Sequence, residues 1–141
     1  MSFRLEFQDE GPDEHGYRRG TIQLGELPET FRAQVRAHWS EADYEASWRA
    51  ALERALAGDP AALITDAEPG NWFATWWPLY PRPDGGLWVQ QQLLFEEPPG
   101  WAWENPWNHV PQREVEGEDG PISEWTLEAA SLRDWLAPPR H

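Results

Sequence analysis

Eleven tryptophans in 141 residues, with no cysteine and no lysine, limit what this chain can fold into more than any other feature. Tryptophan buries more surface than other side chains, and its indole N–H needs a partner once water is excluded. A chain so rich in it must build a large aromatic core, carry exposed aromatic anchors, or do both. Without cysteine there is no disulfide framework and no thiolate zinc site. A domain of this length buries roughly two-thirds of its unfolded surface and needs neither staple. A single domain over residues 1–141 is the expectation.

Periodicity gives the elements. Phe3, Leu5 and Phe7 alternate with Arg4, Glu6 and Gln8, the period of a strand with one buried face. Asp9 to Arg19 reads as a polar loop, Ile22 and Leu24 resume the alternation, and Gly25-Glu26-Leu27-Pro28 turns into a third run through Phe31, Ala33 and Val35. The first third is therefore an antiparallel meander. Ser40 and Asp43 then form a capping-box pattern ahead of Tyr44, Trp48, Ala51, Leu52, Ala55 and Leu56 at helical spacing, which predicts a helix over about 41–57, stopped by Gly58-Asp59-Pro60. Its apolar stripe must lie on the sheet.

Leu63-Ile64-Thr65 is a short strand, and Asn71 to Tyr80, apolar on both alternating faces, is a central one. Leu87 to Phe95 returns as its hairpin partner, with Gln90, Gln91 and Gln92 in the middle, where any inward amide must find partners. Glu96 to Pro111 holds four prolines and three tryptophans and supports no periodic element. Gln112 to Val115 and Ile122 to Leu127 read as a last hairpin around Gly117-Glu118-Asp119-Gly120, and Leu132, Trp135 and Leu136 mark a short closing helix. The fold class is α+β, a mostly antiparallel twisted sheet packed by one main helix and a short C-terminal one.

Charge narrows the partners. With 25 acidic residues against 11 arginines the formal charge is −14, a field that repels phosphate backbones and anionic headgroups and steers a basic protein inward. Direct nucleic-acid binding is therefore not expected, and no run of 18 apolar residues exists to span a membrane. Met1-Ser2-Phe3-Arg4 opens into strand-like sequence with no signal-peptide run, so the cytoplasm is the expected compartment.

Chemistry is hard to find. No Gly-x-Ser-x-Gly elbow occurs, and the four histidines (15, 38, 109, 141) lack metal-binding spacing. No catalytic residue, metal or cofactor is assigned. Glu124, between apolar residues of a strand, is the carboxylate to watch, and it is read as structural in preference to catalytic, accepting hydrogen bonds or pairing with Arg113 across the last hairpin. Trp48, Trp76 or Trp77, Trp88 and Trp125 fall in regular elements and are read as core. Trp101, Trp103 and Trp107 either project as anchors among acids or fold back over the sheet.

Several segments carry a resemblance: Trp76-Trp77-Pro78-Leu79-Tyr80, its partner Val89-Gln90-Gln91-Gln92-Leu93-Leu94-Phe95, Arg113-Glu114, and Ile122-Ser123-Glu124-Trp125. Trp39-Ser40, Asp43-Tyr44, Trp48, Leu52 and Leu56 precede them in the helix region. Over roughly residues 39–127 the chain resembles the immunity proteins of bacterial contact-dependent growth inhibition systems, with Gln91 where that group has Asn. The resemblance implies a small cytoplasmic protein that binds and blocks the toxic C-terminal domain of a delivered effector, often a nuclease, and it carries over no catalytic residues. The partner is then a cognate basic toxin domain, with no direct nucleic acid and no membrane; the sequence leaves the oligomeric state open, with a monomer favoured. Its contact residues are then expected at Glu96, Glu97, Trp101, Trp103 and Glu104, and next at Glu116, Glu118 and Asp119. The alternative is a carbohydrate-binding or glycan-acting protein that stacks exposed tryptophans on sugars.

Overall fold

The computed structural model describes residues 3–26, 28–117 and 120–137. Strands β1 (Phe3–Phe7), β2 (Tyr17–Leu24) and β3 (Pro28–Gln34) form the antiparallel meander in that order. The strand β2 begins earlier than its charged sequence suggests, taking in Tyr17 to Arg19. The Asp13 carboxylate accepts from the backbone N–H of His15 (2.9 Å) and Tyr17 (3.0 Å), closing a tight turn. Arg18 then bonds the Gln8 carbonyl and pairs with Glu41, so its charge is met inside the sheet. In the turn before β3, Leu27 lies outside the described residues.

Helix α1 (Glu41–Leu56) starts at Ser40, whose hydroxyl accepts from Asp43 N–H while the Asp43 carboxylate accepts from Ser40 N–H. The short aspartate thus closes the capping box. Tyr44, Trp48, Ala51, Leu52 and Ala55 form its buried stripe, which lies along β4 (Ala61–Glu68), and Trp48 Nε1 donates to the Ile64 carbonyl at 2.7 Å. Strand β4 runs well beyond the predicted Leu63-Ile64-Thr65, continuing its pairing past a bulge between Ile64 and Asp66 in which Thr65 is the extra residue. Its hydroxyl accepts from Trp77 Nε1 at 3.1 Å.

Strand β5 (Phe73–Pro81) is central, between β4 and the returning chain. That return is one continuous register divided at Gln91 into β6 (Leu87–Gln90) and β7 (Gln92–Leu94). The predicted last hairpin is corrected. Among the described residues β8 (Glu116–Gly117) and β9 (Gly120–Pro121) pair there, and Ile122 N–H donates to the Val115 carbonyl at 3.0 Å, but β10 (Glu124–Leu127) leaves the hairpin and pairs with β6, where Leu127 is buried. Helix α2 (Ala129–Leu136) closes against β1, with Trp135 Nε1 donating to the Leu5 carbonyl at 3.1 Å.

The two larger sheets meet where β3 lies beside β4. Gln34 N–H donates to Asp66 Oδ1 at 3.1 Å, and the Tyr44 hydroxyl donates to the Gln34 carbonyl and accepts from Ala67 N–H. Trp48, Trp76 and Trp77 are fully buried, whereas Trp88 on β6 and Trp125 on the edge strand β10 are only half-buried.

Candidate functional site

The Pro/Trp segment folds back on the sheet. Trp101 packs on Trp76, Trp72 and Trp103 with centroids 5.3–5.4 Å apart, and Trp103 in turn stacks on Trp72 and meets Trp39 edge-on at 6.0 Å. His38 packs on Trp39 and Trp103, and His109 on Trp101. Trp101, Trp103 and Trp107 are half-buried, not exposed. The segment has one 3-10 turn, Trp107–His109, and is held mostly by ring contacts. The indole N–H of Trp72 and Trp101 and the Nε2 of His109 are buried without a protein partner. Rings engaged in this way offer little free face for a sugar to stack on.

Around this cluster the acids stay in water. Glu96, Glu97, Glu104 and Glu116 are exposed, and Glu118 and Asp119 lie outside the described residues. The structure therefore brings Trp101 and Trp103 together as packing and leaves Glu96, Glu97 and Glu104 on the surface of the same segment.

The glutamines of the return strand are accounted for individually. Gln92 Oε1 accepts from Trp76 Nε1 at 2.8 Å, and Gln90 Nε2 donates to the Glu114 carbonyl (2.8 Å) and to Glu124 Oε2 (2.9 Å). Glu124 also receives a two-pronged contact from Arg113 at 2.6 and 2.8 Å, and Arg113 lies 3.7 Å above the Trp88 ring. The guanidinium holds the Glu124 carboxyl below its usual pKa. Arg113 and Glu124 thus form the expected pair, and its bonds show a clamp that ties the 111–115 segment to the sheet.

A second carboxylate group sits at the sheet junction. Burial, followed by a hydrogen bond to Glu68, pushes the Asp66 carboxyl up to about 8, and Glu68 Oε1 accepts from the Tyr17 hydroxyl at 2.5 Å. Among the described residues no group of three His, Asp or Glu is placed to hold a metal ion. Three large apolar side chains are exposed among the described residues: Val115 at 56 %, and the neighbouring Leu93 at 49 % and Phe95 at 68 %, on and just beyond β7.

Residues 35–135 match the model of the CdiI N-terminal domain family, well over half of the chain. The chain belongs to the CdiI N-terminal domain family. The CdiI architecture extends past that match: a chain from a CdiA-CT/CdiI toxin and immunity complex of Enterobacter cloacae superposes with a TM-score of 0.82 at 25 % identity, covering 95 % of each chain. No curated protein sequence matches the chain. The resemblance to contact-dependent growth inhibition immunity proteins drawn from strands β5 to β7, the Arg113–Glu124 region and α1 is therefore that of a CdiI protein. No helix among the described residues is long and apolar enough to cross a membrane.

Proposed function

We propose that this CdiI-family chain protects the cell that makes it by binding, in the cytoplasm, the toxic C-terminal domain of a growth-inhibition effector and covering its active site. The toxin on this reading is a nuclease. The observation that carries the reading is the charge: −14, distributed over exposed carboxylates on a CdiI fold. A nuclease grips phosphates in a cationic cleft, and an anionic surface of fixed shape competes for it without being turned over. The similar Enterobacter cloacae structure, a toxin and immunity complex, supports the same mode of action. Glu96, Glu97 and Glu104 supply charge from a segment that Trp101 and Trp103 hold in place, with Glu116, Glu118 and Asp119 as a second acidic group.

Co-expression tests it. The cognate toxin domain should arrest growth alone and should fail to do so when the chain is present. Equal arrest with and without the chain rejects the immunity reading. Intact DNA and RNA in the arrested cells reject the nuclease assignment alone.

A further inference from the structure

The open end of the second sheet is a built surface that the tryptophan segment does not cover. Strand β7 has β5 on one side and, among the described residues, no strand on the other, since β10 pairs only with β6. Side chains on a strand alternate between faces, and directly paired residues share one. Leu93 pairs with Thr75, two positions from Phe73, and Phe73 pairs with Glu68 on β4. The Phe95 ring extends the row, 5.5 Å from the Phe73 ring. Leu93, Phe95 and Phe73 therefore form an apolar ledge on one face, with Glu68 at its inner border and Glu96-Glu97 directly after Phe95.

We propose that this ledge, and not the tryptophan cluster, is the surface that seats the toxin, and that it receives an arginine- or lysine-bearing patch of that domain. The proposal rests on the immunity reading and gives it a place. The chemistry of the rim selects the occupant: an apolar centre bordered by carboxylates suits a cation whose aliphatic stem covers a ring while its charge meets an acid. The fold already makes this contact internally, where Arg113 lies over Trp88 and bonds Glu124, and Arg32 lies 4.8 Å from the Tyr17 ring and pairs with Asp13 at 3.3 Å. At the ledge the ring and the acids are present and the cation is left to a partner. Leu93 and Phe95 are neighbouring exposed apolar side chains that lose their water under a partner, and the Phe95 ring gives the larger face.

Calorimetric titration of the purified cognate toxin domain into the full chain tests the assignment. Leu93→Ser with Phe95→Ser should raise Kd about a hundredfold or more, while leaving the Tm and near-UV dichroism close to wild type. Glu96→Gln with Glu97→Gln should weaken binding at low salt, whereas Glu45→Gln with Glu53→Gln on the exposed side of α1, an equal change of net charge, should not. A folded Leu93→Ser/Phe95→Ser protein that binds the toxin as tightly as wild type overturns the ledge and leaves the immunity reading standing. A wild-type chain that does not bind the toxin at all overturns both. Light scattering that shows a dimer dissolved by the same double substitution, with toxin affinity intact, assigns the ledge to a second copy of the chain and also overturns the proposal.

Discussion

At Asp66 a carboxyl group is kept from water between two sheets, bonded by Gln34 N–H and facing Glu68, Tyr17, Tyr44 and Arg32. An unfolded chain releases this proton near 3.8, whereas the folded chain holds it up to about 8. Between those values the folded state binds more protons, so this residue makes stability fall as pH rises, by at most ~1.4 kcal/mol per pH unit. Glu124, held low by Arg113, acts oppositely at acid pH, where its protonation removes stability. Asp66→Asn should therefore flatten the decline between about pH 5 and pH 8, read as Tm against pH; an unchanged slope refutes the assignment. Nothing in the sequence marks Asp66, because its burial comes from a bulge and a neighbouring sheet. Trp48 and Trp77 were legible as core from their spacing. Leu93 and Phe95 were not, since alternation alone makes them ordinary members of a hairpin strand and cannot show that β10 stops short of them.

Among the elements, the meander depends on one close approach. Gly20 on β2 lies under the Phe31 ring of β3, and a Cβ there would meet the ring at 2.1 Å. Gly20→Ala should cost about 1–3 kcal/mol by overpacking, visible as a lower urea midpoint with an unchanged slope; a neutral result means that Phe31 can leave its place against Phe7 and Trp48. Helix α1 and the first three strands could be read from period and capping because those signals are local. The pairing of β10 could not: two short runs flanking a glycine turn look like a hairpin, and only the Arg113–Glu124–Gln90 clamp shows why the chain leaves that hairpin after Ile122 and joins β6.

For the molecule as a whole, the excess of carboxylates acts through distance and is screened within about 10 Å at 0.1 M salt. Association with a basic toxin should therefore slow steeply as salt is raised, while dissociation changes little. Glu96→Gln, Glu97→Gln and Glu104→Gln together should slow it most at low ionic strength in stopped-flow mixing, and an unaltered rate removes this acidic segment from the encounter. Its location was legible in the sequence as a Pro-rich, acid-flanked stretch; the inward direction of its tryptophans was not, because composition does not say which way a loop folds. Leu93 and Phe95 lie outside the packed interior to which Trp76, Trp77, Trp101 and Trp103 belong. A lineage can thus exchange residues 93 and 95–97 to follow a changing adversary while its scaffold is inherited intact.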